Sequence, residues 1–138
     1  MLDLTHESAR GLHNALLANA VFSTFCALFI IFAHNLVLGW LGVALNIRVL
    51  GFALLLFAVY LVWMSRSTHL PRHLVTGVIA GDWAWVVGSV VLVAIKYTSF
   101  STFGVFLTLD IALVVGVFAL LQGRGLKRAS CPFEPDRG

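Results

Sequence analysis

Long runs of apolar residues, separated by short polar segments, divide the chain into four parts. The runs occupy positions 15–33, 47–64, 74–95 and 102–122. Each has about 18–22 residues, enough for an α-helix rising about 1.5 Å per residue to cross a hydrocarbon layer about 30 Å thick. The runs do not alternate polar and apolar residues as the strands of a membrane barrel do. The pattern therefore predicts an all-α fold with four transmembrane helices.

Composition supports the same class of protein. Hydrophobic residues make up 60% of the 138 residues, charged residues make up 11%, and the mean hydropathy is +0.98. A soluble domain needs a larger polar surface than this. We therefore predict a polytopic membrane protein whose main partner is the lipid bilayer. The first run exceeds the roughly 7–15 apolar residues of a signal peptide, so we expect a retained helix.

The distribution of lysine and arginine predicts the direction in which the helices cross. If the N-terminus is cytoplasmic, seven of these residues fall on that side and two, Arg48 and Lys96, on the other. Cytoplasmic segments of membrane proteins are enriched in positive charge. The sequence thus predicts a multi-pass membrane protein, folded as an antiparallel four-helix bundle with both termini in the cytoplasm.

Proline and glycine positions complete the predicted organisation. Pro71 suits the first turn of the third helix, and Gly123 and Gly125 are expected to end the fourth. We accordingly predict a cytoplasmic segment at 1–14, a transmembrane domain at 15–122 and a flexible, basic cytoplasmic tail at 123–138.

Several classes of function lack their sequence signals. Cys26 and Cys131 are far apart, so the chain has no CxxC pair for redox chemistry or zinc. Motifs for serine hydrolases, zinc proteases and phosphate binding are also missing. The pI of about 9.3 is explained by the positive cytoplasmic segments without nucleic acid. We therefore predict no enzyme activity, no cofactor, no metal site and no nucleic-acid partner.

Two aspartates stand out within the apolar runs. On the predicted topology, Asp82 lies about 12 Å and Asp110 about 18 Å from the cytoplasmic edge. A carboxylate that faces lipid is costly, so both are expected to face the bundle interior or another subunit. Polar residues of the first two runs, Asn19, Ser23 and Tyr60, reach a similar depth. We predict that these five residues form an intramembrane polar cluster.

This cluster has two main interpretations, and a contact with a ligand or cofactor is a third. In the first, the side chains make interhelical hydrogen bonds, each worth perhaps 0.6–2 kcal/mol, and hold the bundle together. In the second, protonation and release of Asp82 and Asp110 drive a conformational change, as in proton-coupled transport. The residues alone do not decide between them.

Small residues form stripes along the third and fourth helices. Such stripes let helix backbones approach closely, which favours association within a membrane. Asp110 lies about 200° around the helix from Thr108, so the fourth helix presents a second face to a partner. The positions are Gly77, Gly81, Ala84 and Gly88 on the third helix, and Gly104, Thr108, Ala112 and Gly116 on the fourth.

Several stretches resemble a family of small bacterial integral membrane proteins with four transmembrane helices. They are GWLG at 39–42, RVLGFALLLFA at 48–58, VIAGDWAWVVGS at 78–89, Gly104 and LLQGRGLKR at 120–128. In that family a comparable third helix carries Asn or Asp before a Trp-x-Trp/Leu-Val-x-x-Ser run. The resemblance spans residues 15–128 and implies a four-helix inner-membrane protein. Because Asn occurs at the position of Asp82, it favours hydrogen bonding over titration there.

These features lead to one prediction of function and one main alternative; a third class, an enzyme that acts on lipid or quinone, has no supporting set of residues. We predict an accessory or assembly subunit, or a scaffold, that packs through its glycine stripes as a homo-oligomer or within a larger membrane complex. The alternative is a small proton-coupled transporter or channel that uses Asp82 and Asp110.

Overall fold

Helices account for nearly all of the described chain. The computed structural model describes residues 2–3, 10–41, 46–67 and 69–130. The elements in chain order are β1 (Leu2–Asp3), α1 (Arg10–Phe32), α2 (His34–Leu41), α3 (Ile47–Arg66), β2 (His69–Leu70), α4 (Arg72–Lys96) and α5 (Thr102–Ser130), with a 3-10 turn at Tyr97–Ser99 between the last two helices.

Four of the helices, α1, α3, α4 and α5, are long and apolar enough to cross a membrane. Large apolar side chains are exposed on all four, as is expected of surfaces that face lipid. The only strands in the described residues are β1 and β2, which form one short antiparallel pair. The predicted all-α chain with four apolar spans is thus confirmed, apart from this pair.

The helix boundaries differ from the predicted ones at several points. α1 begins at Arg10, five residues before the apolar run, so part of the predicted 1–14 segment is helical. The apolar link after the first run contains a further helix, α2, where no helix was predicted. Residues 131–138 of the predicted tail lie outside the described residues.

The largest difference is at the end of α5. Gly123 and Gly125 were predicted to end this helix, but it continues through both to Ser130. Glycine is tolerated in a helix where another backbone must approach closely. A Cβ atom on Gly125 would lie 2.8 Å from Leu12 Cα, so α1 and α5 cross here almost in backbone contact. Residues 123–130, predicted as part of a flexible tail, are therefore helical, and Gly125 and Leu126 among them are buried in the bundle.

The four long helices are not packed equally. α1 packs along α3 on one side and α5 on the other, and α5 also packs along α4. A Cβ on Gly51 would come within 2.9 Å of Ile31 Cγ1, which shows how tightly α1 and α3 cross. α3 and α4, although consecutive, hardly approach each other. The bundle is therefore open along the seam between α3 and α4.

The bundle is closed at the end where α1 and α4 begin and α3 and α5 end. This end carries most of the arginines and lysines and is called the basic end below. Buried side chains from all four helices meet there and seal the α3–α4 seam. This apolar cluster consists of Leu12, Leu16, Ala20, Leu61, Met64, Val75, Val78 and Leu126.

At the opposite end, α2 is fastened to the start of α5. The Ser101 hydroxyl donates to the Trp40 carbonyl and accepts from the Gly104 N–H at 2.9 Å. The Ser101 N–H donates to the Leu41 carbonyl, also at 2.9 Å. A Cβ on Gly104 would stand 2.7 Å from the Leu41 carbonyl oxygen, so only glycine permits this approach. These contacts hold α2 against the start of α5.

Candidate functional site

A cluster of buried polar side chains lies next to the apolar cluster, about one helical turn further from the basic end. Asp82 on α4 is only 3% exposed, and its Oδ2 accepts a hydrogen bond of 2.8 Å from Asn19 Nδ2 on α1. Ser23 Oγ donates to Asn19 Oδ1 at 3.3 Å. The Asn19 amide therefore bridges a hydroxyl and a carboxyl group and links two helices whose backbones are not in close contact.

Two further polar groups are buried beside this cluster. Gln122 on α5 is fully buried near the Asp82 carboxyl group, yet neither Nε2 nor Oε1 completes a hydrogen bond within the described residues. The Trp85 Nε1–H is likewise buried and unpaired there. Sequence reasoning missed Gln122 because the glycines after it placed it at the end of a helix.

Substituting Gln122 with methionine is expected to stabilise the protein by about 1–2 kcal/mol, because a buried amide without partners carries a desolvation cost. Methionine keeps a similar length and shape without the polar atoms. The free energy of unfolding can be measured in mixed micelles of a mild detergent and dodecyl sulfate. A loss of stability would show that Gln122 completes a hydrogen bond to Asp82 in the membrane.

Two adjoining cavities extend from the polar cluster toward the opposite end. The first, about 230 Å³, is lined by Asp82, Asn19 and Ser23 together with apolar side chains. The second, about 400 Å³, lies nearer α2 and includes Trp40 in its wall. The two share the lining residues Cys26, Leu50, Trp85 and Ile111. They therefore form one cleft within the bundle, with a carboxyl group near its closed end.

Two members of the predicted cluster lie elsewhere. Asp110 is exposed on α5 and lines neither cavity, so it does not form a pair with Asp82. Tyr60 on α3 packs against the apolar cluster, and its ring stacks on Trp63 with centroids 6.0 Å apart. The structure thus brings together three of the five predicted residues, Asp82, Asn19 and Ser23, and adds Gln122 and Trp85.

The two predicted stripes of small residues are used differently. On α5, Gly104 meets α2, Ala112 is buried, and Gly116 would place a Cβ 3.6 Å from Val86 of α4. Thr108 lines the second cavity and donates to the Gly104 carbonyl at 2.8 Å. The α4 stripe is exposed throughout, and a Cβ on any of its glycines would meet no atom within 4 Å. Its members are Gly77, Gly81, Ala84 and Gly88.

The groups placed around Asp82 are suited to hydrogen bonding and apolar contact. Within the described residues, no group of three or more His, Cys, Asp or Glu side chains is placed to hold a metal ion. The polar groups that surround Asp82 are two amides, a hydroxyl, an indole and the Cys26 thiol, and the rest of the lining is hydrocarbon. What they provide is hydrogen bonding and a shaped apolar space. No protein-family model, curated protein or solved structure matches this chain.

Proposed function

We propose that this chain is a non-catalytic accessory or assembly subunit of a complex in the bacterial inner membrane, with both termini in the cytoplasm. The topology is supported by charge: Arg10, Arg66, Arg72, Lys127 and Arg128 gather at the basic end, which would face the cytoplasm.

The observation that carries the proposal is the position of Asp110. It lies on the outward face of α5, eight residues after the first residue of the helix, among exposed apolar side chains such as Phe106 (64% exposed), Leu113 (67%) and Val117 (46%). A carboxylate that faces lipid within the hydrocarbon layer is costly, up to roughly 2.5–3.5 kcal/mol on insertion scales. A second polypeptide with a polar group at this depth would remove that cost.

The exposed stripe on α4 supports the same role. Gly77, Gly81 and Gly88 have open space around them, so the backbone of another helix can approach α4 closely. The chain therefore offers a partner a polar side chain on α5 and a face of small residues on α4. A homo-oligomer and a hetero-complex both use these features in the same way.

Replacing Asp110 with leucine is expected to weaken the association at least about tenfold, because the partner loses its polar contact across the interface. The experiment is purification in a mild detergent, followed by native mass spectrometry of the wild-type and Asp110→Leu proteins. Wild type should carry a stoichiometric partner or a second copy, and the variant should run mainly as the single chain.

An exposed residue on a different helix, α3, provides the control for this test. Leu56→Ala changes an exposed side chain on α3, outside the proposed interface on α4 and α5, and should leave the association unchanged. A wild-type protein that is a monodisperse monomer in every mild detergent would contradict the proposal. Equal association of wild type and Asp110→Leu would show that Asp110 is not the anchor.

The proton-coupled alternative has less support. It requires Asp82 and Asp110 to act as a pair, but one is buried in the bundle and the other faces outward.

A further inference from the structure

The cleft between α3 and α4 has the form of a ligand site that is reached from the membrane. Its walls come from all four long helices, and the apolar cluster closes it at the basic end. Exposed lining residues stand on both edges of the seam: Leu50 and Ala53 on α3, Gly81 and Gly88 on α4. A molecule dissolved in the bilayer can therefore enter sideways without crossing a polar surface.

The charge balance of the cleft is incomplete. Asp82 reaches the cavity wall, is 97% buried, and accepts a hydrogen bond from Asn19, with the neutral Gln122 amide buried nearby. Among the described residues that line the two cavities, none is basic. A carboxylate removed from water needs a compensating charge or several hydrogen bonds. The chain's own lining residues supply no such charge.

The walls around this carboxyl group are aromatic. Phe22, Phe57 and Trp85 line the same cavity as Asp82. The faces of aromatic rings attract cations, and an indole does so most strongly. The unpaired Trp85 N–H can in addition donate to an acceptor on a bound molecule. An acid with aromatic neighbours in an otherwise apolar space is the environment that an organic cation requires.

We propose that this cleft binds a lipophilic organic cation, whose ammonium group pairs with Asp82 and whose apolar body fills the cavities toward α2. The space of about 230 Å³ beside Asp82, continued by about 400 Å³, suits a small aromatic or alkyl ammonium. The cleft shares Gly81 and Gly88 with the α4 surface that is proposed to meet a partner, whereas Asp110, the proposed anchor on α5, lies outside the cleft.

The test compares a permanent cation with its uncharged isostere. Benzyltrimethylammonium and neopentylbenzene have the same shape and differ in charge. Each is titrated against the protein in nanodiscs of zwitterionic lipid, with tryptophan fluorescence as the readout and empty nanodiscs as the blank. The cation is expected to bind saturably and at least about tenfold more tightly than the isostere, through the ion pair and the ring contacts. Equal affinity for the two compounds would overturn the proposal.

Removing the charge of each aspartate in turn identifies the carboxyl group that binds the cation. Asp82→Asn keeps an acceptor for Asn19 and is expected to weaken cation binding at least about tenfold. Asp110→Asn removes a carboxylate that lines neither cavity, so cation affinity should stay within about twofold. Unchanged affinity in Asp82→Asn, or equal losses in the two variants, would overturn the assignment.

Two glycine-to-leucine substitutions provide an independent test in case Asp82→Asn does not fold. Gly81 lines the cavity beside Asp82, and Gly77, one turn earlier, lines neither cavity; both have open space at the Cβ position. Leucine at position 81 should fill the mouth of the cleft and abolish saturable binding, whereas leucine at position 77 should not. Binding that survives Gly81→Leu would overturn the proposed location.

Discussion

Gly125→Ala is expected to destabilise the protein by about 3 kcal/mol, although alanine is the better helix former. The new Cβ would stand 2.8 Å from Leu12 Cα and 2.9 Å from Leu12 N, distances at which backbone atoms must move apart. Because both positions are in helices, neither side can yield by rotating a side chain. The expected result is a wider α1–α5 crossing and a looser apolar cluster at the basic end.

Gly123→Ala is the matched control, two residues earlier in the same helix. A Cβ there would meet nothing within 4 Å, so only helix propensity changes, and a gain of roughly 0.5–1 kcal/mol is expected. Reversible unfolding in mixed micelles measures both variants. If both substitutions stabilise the protein, α5 does not cross α1 at Leu12, and the predicted C-terminal break at these glycines regains its support.

Asn19→Leu is expected to cost about 3 kcal/mol, because it removes the hydrogen bond that Asp82 Oδ2 accepts and leaves a buried carboxyl group without that partner. It also leaves the Ser23 hydroxyl without its acceptor on Asn19. Asn14→Leu, on the exposed face of the same helix, is the control and should change stability by less than about 0.5 kcal/mol.

A double-mutant cycle separates this interaction from simple packing effects. If Asp82 depends on Asn19, the loss of stability in the Asn19→Leu/Asp82→Leu double variant should be smaller than the sum of the two single losses. The expected difference is about 1–2 kcal/mol. Additive losses would mean that the hydrogen bond contributes little. Interhelical polar contacts in membranes are modest on average, so the measured coupling is informative whichever sign it takes.

The two aspartates show that the depth of a residue in the membrane does not by itself determine whether its side chain is buried or faces outward. The sequence places both within apolar runs at similar depth, and only the rotation of each helix within the bundle separates them. Asp82 points to Asn19 in the interior, whereas Asp110 points outward from α5. That rotation depends on which helices are neighbours, and α5 turns toward both α1 and α4.

Helix ends were predicted less well than helix centres, and the two glycines of α5 give the reason. Glycine after an apolar run ordinarily signals a C-terminus, since no nearby residue in the sequence reveals a close partner. Here the partner of Gly125 is Leu12, more than a hundred positions away in the chain. The same error hid Gln122, which a helix continuing to Ser130 places inside the bundle.

The amino-acid sequence by itself determined the four apolar spans, the all-α class and the candidate polar residues, because helix length, hydropathy and the need to satisfy backbone groups in lipid are local properties. The tertiary structure decided the rest: the open seam between α3 and α4, the seating of Asp82 against Asn19, and the outward face of Asp110. These depend on contacts between distant positions, and a small rotation of one helix changes them while its hydropathy pattern stays the same.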